Sequence, residues 1–151
     1  MKHRIATLAD APLLGALNHQ LIQDEGHRNP MSELQLIERM LHWLSNEYKA
    51  IIFENTETAA YALYHEHSDY IYLRQFFVQR HLRRAGIGRQ CIEILFSEVW
   101  PAKRVTVDVL SVNQAGADFW RSIGFSDYCL TLEALPSKSP EFAEQDAAAN
   151  P

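Results

Sequence analysis

The spacing of apolar positions changes several times along this chain, and each change marks a predicted element. His3-Arg4-Ile5-Ala6-Thr7 reads as a short first strand. Thr7 and Asp10 then have the spacing of a capping box, Pro12 suits a first helical turn, and Leu14, Leu17 and Leu21 continue one face until Gly26 stops the helix. After a polar connection from Asp24 to Pro30, Ser32 and Gln35 form a second capping box, and Leu34, Ile37, Met40, Leu41 and Leu44 give the stripe of a second helix packed on the core. Tyr48 to Glu54 and Ala59 to Glu66, joined by Asn55-Thr56-Glu57-Thr58, read as a hairpin.

Ser68-Asp69 turns the chain into Tyr70 to Val78, nine residues rich in aromatic and β-branched side chains and predicted as the central strand. Ile87, Cys91, Ile94, Leu95 and Val99 follow at helical spacing, and Pro101 ends that helix. Val105 to Leu110 is a further strand. The strand–helix–strand order implies a right-handed crossover between parallel neighbours. Asn113 is a suitable N-cap for a helix carrying Ala115, Phe119 and Ile123, with Gly124 as its left-handed stop and Phe125 to Leu132 as a last strand. The predicted order β-α-α-β-β-β-α-β-α-β makes an α/β (α+β) domain of three layers over residues 1–134, a mixed, mostly antiparallel sheet flanked by helices. Residues 135–151 are Pro, Ser, Glu, Asp and Ala with few apolar anchors, and read as a loosely held polar tail.

Composition narrows the function classes. At 151 residues with 47% hydrophobic and 22% charged, the chain can bury one proper core. No run reaches membrane-spanning length and Met1-Lys2-His3-Arg4 leads into no signal-peptide core, so no membrane association and a cytoplasmic location are expected. A net charge of −5 argues against a general nucleic-acid binder. Cys91 and Cys129 each lie within an apolar stretch, which predicts buried thiols and no disulfide. His65 and His67 stand two apart on a predicted strand, but no third ligand falls in register, so no metal is expected.

Against that acidic background, Gln79 to Arg89 holds Arg80, Arg83, Arg84 and Arg89 with no acidic residue. The segment opens a helix directly after a strand. Unpaired N–H groups and the positive end of the helix dipole sit there, and Gly86 and Gly88 keep Cβ atoms out of an anion's way. A P-loop is excluded because Gly88 is followed by Arg89-Gln90, and a dinucleotide fingerprint because position 91 is cysteine. What remains is Arg-x-x-Gly-x-Gly, Arg83 to Gly88.

With Asn113-Gln114-Ala115-Gly116-Ala117-Asp118-Phe119-Trp120 and Gly124-Phe125 downstream, this segment resembles the GNAT superfamily of acyl-CoA N-acyltransferases, and the order of elements agrees over Lys2 to Leu132. The resemblance implies acetyl-CoA as co-substrate and transfer of its acetyl group to a primary amine of a small molecule or peptide. Val78 would hold the pantetheine amide through its backbone. The N–H groups of Arg83, Arg84, Ala85, Gly86, Ile87 and Gly88 would wrap the pyrophosphate, and Asn113 would reach the pantetheine arm. Trp120 stands where many members have a tyrosine that protonates the leaving thiolate, and an indole has no acid proton to give at neutral pH. It is expected to pack against the cofactor's thiol end.

For chemistry the resemblance points to the central strand. Tyr72 and Arg74, with Gln75 and Glu66 nearby, are the polar candidates, and Tyr128 is a candidate acid. The segment Asp24 to Asn29 is expected to line the acceptor site, with Asp24 and Glu25 anchoring a cationic amine, His27 as a base and Arg28 anchoring a carboxylate. That mixture of charges suits a small amine bearing both signs. If the segment plays no such part, entry across Arg74 and Tyr128 is the other route. A non-catalytic module that binds acyl-CoA is the second functional reading, and a homodimer is left open.

Overall fold

The computed structural model describes residues 1–136 of the chain, so the tail expected over 135–151 falls outside the described residues beyond 136. Its elements are β1 (Lys2–Ile5), α1 (Ala11–Glu25), α2 (Glu33–Ser45), β2 (Tyr48–Glu54), β3 (Thr58–Glu66), β4 (Tyr70–Val78), α3 (Ile87–Ile94), β5 (Arg104–Val107) and α4 (Gln114–Ser122). Five strands form one sheet in the order β1-β2-β3-β4-β5. Neighbours run antiparallel except β4 and β5, which are parallel through the α3 crossover. Helices cover both faces, giving the expected three layers.

Each face has its own apolar core. Leu14, Leu17 and Leu21 of α1 and Met40 of α2 pack on Ala50, Ile52, Tyr61, Leu63 and Phe77. On the other face Cys91, Ile92, Leu95, Trp100 and Trp120 pack on Ile51, Phe53, Ala62, Ile71 and Leu73. β3 lies between them with Ala59 to Leu63 wholly buried, which explains its run of small and aromatic residues without a polar face.

Local signals account for the helix ends. The Ser32 and Gln35 capping box forms, with Gln35 N–H donating to Ser32 Oγ at 3.2 Å and Ser32 N–H to Gln35 Oε1 at 2.9 Å. Gly26 ends α1 at φ 65°. The helix expected as far as Val99 leaves α geometry at Ile94. One π turn over Leu95–Val99 follows, closed by Trp100 N–H donating to Leu95 O at 2.7 Å.

Two expectations need correction. The α2 stripe buries Leu36 and Met40 completely, whereas Leu34 is 66% and Leu41 38% exposed. The cause is the crossing of α1 and α2 at Gly15, where an added Cβ would stand 2.4 Å from Ile37 Cγ1. That close approach turns the Leu36, Ile37 and Met40 side of α2 inward. The second correction is the last strand: Phe125 to Leu132 forms none. Tyr128, Leu130 and Leu132 are exposed, and the neighbouring edge strand, β5, is only four residues long and pairs with β4 alone. Alternating apolar residues make a strand only where an edge and a face receive them.

The feature that shapes the site is a bulge in β4. Leu63 pairs with Gln75 but Tyr64 with Leu73, so Arg74 is an extra residue without a partner on β3. Side chains change faces there. Ile71 and Leu73 point to the α3 side, and after the bulge Phe76 and Val78 do, while Gln75 and Phe77 turn to the α1–α2 side.

Candidate active site

The β4–β5 ladder stops at Leu73 paired with Val107, one residue before the bulge. β5 ends there, short of the expected Leu110, and from Arg74 to Val78 the edge of β4 that faced it has no strand partner. The sheet therefore forks. Gln79 N–H still bonds Ala59 O on the β3 side at 2.9 Å, so by strand alternation the backbone groups of Val78 point into the fork. An extended ligand with amide groups can pair with that edge as an added strand would.

At the top of the fork the chain turns through Arg80–Leu82 into α3. Arg84 (φ 65°) and Gly86 (φ 80°) both adopt the left-handed conformation, which strings successive N–H groups around a concave turn. The first backbone bond of α3 is Gln90 N–H to Gly86 O at 3.0 Å, and the N–H groups of Arg84 to Arg89 make no bond of normal geometry among the described residues. Gly88 sits where a Cβ would come 3.0 Å from the Phe119 ring, so its lack of a side chain lets α4 close under the turn. Arg83, Arg84, Ala85 and Gly86 are largely exposed, Ile87 and Gly88 half-buried. The predicted anion site is thus a continuous run of free donors beside the open strand edge.

The arginines are not a loose solvated cluster. Arg83 donates through Nε to Val78 O at 2.8 Å and through Nη2 to Asp24 Oδ2 at 2.5 Å, and Arg80 also holds Asp24. Burial pushes the Asp24 carboxyl up, but the bonds from Arg80 and Arg83 outweigh it and the net shift is downward. Asp24, whose side chain is 11% exposed, ties the last turn of α1 to the turn before α3. Arg89 bonds Ser122 O at 3.1 Å, and Arg84 has no ion pair among the described residues.

Lower in the fork, on the α1–α2 side, the groups are of mixed type. Tyr72 donates its hydroxyl to Asp108 Oδ2 at 2.9 Å, joining β4 to the residue that follows β5. Burial first, and then Asp108, push the Tyr72 hydroxyl up to about 12, so it stays protonated near neutrality. Arg74, on the bulge, donates to Tyr48 OH at 3.3 Å and lies 4.6 Å from the Trp43 ring centroid. Tyr61, wholly buried, donates to Gln75 Oε1 at 2.9 Å. Burial, and after it the half-buried Glu25 carboxyl, disfavour ionisation of the Tyr61 hydroxyl, and desolvation followed by the charge of Asp24 raises the affinity of Glu25 for a proton.

The remaining sequence-predicted residues divide. Val78, Arg83 to Gly88, Tyr72 and Arg74 line the fork, and Glu25 stands on its α1 side. His27 and Arg28 are engaged locally: His27 Nδ1 accepts from Asn29 N–H at 3.0 Å, and Arg28 pairs with Glu133 at 2.8 Å. Asn113 caps α4, its Oδ1 accepting from Gly116 N–H at 2.9 Å. Trp120 is 8% exposed, with ring centroids of Phe76, Phe119 and Phe125 at 5.6, 5.0 and 4.9 Å, so it supports the floor behind the open edge. Tyr128 stands apart from the others. It lies under the Arg104 guanidinium at 4.9 Å, and Arg104 covers Tyr70 at the opposite end of β4 from the turn. Asp24, expected to anchor a cationic amine, is engaged instead by Arg80 and Arg83, and sequence reasoning misses Asp108, which stands at an outward position of a β-rich run. An acidic residue inside Val-Thr-Val-Asp-Val-Leu is the available signal for Asp108.

A sheet forked beside a helix N-terminus rich in free donors has relatives. The chain belongs to the Acetyltransferase (GNAT) family, whose model matches residues 17–125. Among solved structures it is similar to a mutant of the BH1408 protein from Bacillus halodurans, with 21% identity, TM-score 0.70, and coverage of 89% of this chain and 99% of that one. A predicted acetyltransferase from Clostridium acetobutylicum, solved with acetyl-CoA, gives 16% identity, TM-score 0.68 and coverage of 91% and 97%. The aminoglycoside N-acetyltransferase AAC(6')-Iy in complex with CoA gives 13% identity, TM-score 0.69 and coverage of 89% and 93%. At these identities the likeness concerns the fold. Comparison with curated proteins finds no match. Among the described residues no helix is long and apolar enough to cross a membrane, and no group of His, Cys, Asp and Glu has the arrangement of a metal site.

Proposed function

We propose that the protein is an acetyl-CoA-dependent N-acetyltransferase acting on a primary amine. The observation that carries this reading is the fork: β4 loses its parallel partner after Leu73, directly below a run of free N–H groups from Arg84 to Arg89. The pyrophosphate of acetyl-CoA fits that turn, and its pantetheine amides fit the open backbone of Arg74 to Val78. The thioester then reaches the level of the bulge.

Asp108 and Tyr72 receive the amine there. Asp108 holds an incoming ammonium by charge, and Tyr72, protonated near neutrality, offers a hydroxyl to the same group or to the carbonyl oxygen. An amine of ordinary pKa, about 10.4 for a lysine-like group, must lose a proton before its lone pair can attack. Asp108, directly or through water, accepts it. The N–C bond forms, the C–S bond breaks, and coenzyme A leaves as a thiolate that takes up, directly or through water, the second proton given up by the acylated nitrogen. Most of the acceleration comes from positioning and from backbone donors aimed at the developing oxyanion.

Incubation with acetyl-CoA and an amine panel, read by mass spectrometry for acetylated product, tests the reading. With an acceptor found, Asp108→Asn should lower kcat/KM for the amine at least tenfold and leave coenzyme A affinity unchanged. Coenzyme A binding with no transfer to any amine would make the protein an acyl-CoA-binding module instead.

A further inference from the structure

We infer that the α2 side of the fork contains an anionic subsite, built from Arg39, Trp43 and Arg74, that receives a carboxylate of the acceptor, so that the acceptor is an amino-acid-like compound with amine and acid close together. This deepens the N-acetyltransferase reading and rests on it for the word acceptor. The subsite itself has a separate test.

Arg39 comes from α2 and Arg74 from the bulge of β4, and their guanidinium carbons lie 4.3 and 4.6 Å from the centroid of the same Trp43 ring. Arg4, Arg28, Arg80, Arg83 and Arg121 each have a carboxylate partner. Arg39 and Arg74 have none among the described residues; Arg84, Arg89 and Arg104 have none either, but only Arg39 and Arg74 share one ring. Their bonded partners are neutral, Asn18 Oδ1 at 3.0 Å and Tyr48 OH at 3.3 Å. Arg39 Nε is buried without a partner, and so is Asn18 Nδ2 beside it. Burial first, and then the charge of Arg74, make the Arg39 guanidinium hold its proton less firmly than usual.

Two like charges that both stack on one ring and act on each other, in a chain with 19 acidic residues, form an uncompensated site, since none of the described carboxylates pairs with either. The Trp43 face offsets part of the repulsion. A planar carboxylate meeting a guanidinium fork supplies what is missing. The position suits the amine as well. Tyr72 lies between the two ends, its hydroxyl bonded to Asp108 while its titration responds to the nearby charge of Arg74. A compound with its ammonium at Asp108 would place its carboxylate at Arg74 across the Tyr72 side chain.

The subsite is tested without turnover. Trp100 and Trp120 are buried and Trp43 is only half-buried, so a fluorescence change on adding ligand comes chiefly from Trp43, and Trp43→Phe verifies the source. N-acetylglycine, N-acetyl-leucine and N-acetyl-glutamate are titrated beside their matching amides, which lack the α-carboxylate. At least one acid should bind at least tenfold more tightly than its amide, and Arg74→Gln should remove that preference. Arg74 is exposed, so this variant is expected to fold even if Arg39→Gln does not. No acid bettering its amide, or a preference unchanged in Arg74→Gln, overturns the subsite. If the preference is present and no amine is ever acetylated, the subsite stands and the transferase reading falls. If amines are acetylated with no regard to a carboxylate and no acid betters its amide, the subsite alone falls.

Discussion

Gly86 allows the anion site to be tested apart from folding, because its φ of 80° and its surroundings make different demands. An added Cβ there meets nothing within 4 Å, so Gly86→Ala creates no clash. It bears only the cost of an L-residue in the left-handed region, roughly 1–2 kcal/mol. For a domain of this size that corresponds to a Tm lower by roughly 2–8 °C. Asparagine tolerates this conformation better, so Gly86→Asn should recover part of the loss. Cofactor affinity should behave otherwise. Both variants add a side chain within the run of free N–H groups where a pyrophosphate is proposed to lie. Losing one charge-assisted bond there costs about 1.5–3 kcal/mol, or about tenfold to a hundredfold in Kd. Isothermal calorimetry with coenzyme A and thermal unfolding on the same preparations separate the two quantities. Gly86→Asn should regain stability and stay weak for coenzyme A. Affinity equal to wild type in both variants, or affinity that recovers along with stability, would refute the placement. Gly86→Val is a poorer probe, since a β-branched residue in this conformation mixes backbone strain with ligand exclusion.

The acid limb of stability should report on Asp10. Its carboxyl is held down to about 2, chiefly by the Arg4 hydrogen bonds at 2.9 Å. A folded pKa below the unfolded value near 3.8 gives stability that is full above the unfolded value and lost as pH falls through the folded one. Urea midpoints should therefore decline between about pH 4 and pH 2, and Asp10→Asn should flatten part of that decline; an unchanged slope would show the pair contributes little. The two cysteines should react at different rates with a thiol reagent at about pH 8. Cys129 is exposed, while burial pushes the Cys91 thiol up to about 12, so one equivalent should react quickly and the second only on unfolding. Two equivalents reacting together in the folded protein would contradict the burial of Cys91.

The sequence carries the element order because most elements announce themselves locally. Ser32 with Gln35, Gly26, Asn113 and the β-rich run of β4 each work through bonds or propensities within a few residues. The turn proposed to hold the anion is legible for the same reason, since its glycines and its place between strand and helix are sequential facts. Cys129, expected to be buried, is exposed because the last strand that would have buried it does not form. The α2 stripe resists a sequence reading because the choice between its two apolar edges is made by Gly15 on another helix. The acceptor groups are legible only in part. Arg28 has the character of a ligand anchor in sequence, yet Glu133, more than a hundred residues away, already occupies its guanidinium.

The bulge at Arg74 shows how one residue of register converts a strand into a site. With strict alternation Gln75 would follow Leu73 onto the α3 face, an amide among Phe119, Trp120 and Val107 with no partner, and Phe76 would turn to the opposite face. The extra residue reverses both. Phe76 joins Phe119 and Trp120 beneath the open edge, at centroid distances of 6.0 and 5.6 Å, and Gln75 meets the Tyr61 hydroxyl. Arg74 itself is left free of β3 and lies over Trp43. Because a bulge increases local twist, it also turns the upper half of β4 away from the line of β5, which is where the ladder stops. The apolar floor, the open backbone edge and the guanidinium without a carboxylate are then three consequences of one inserted residue. A period-two reading of Tyr70 to Val78 cannot see them, because the sequence of β4 alone does not say that the adjacent Leu63 and Tyr64 on the neighbouring strand will pair with residues two apart, Gln75 and Leu73.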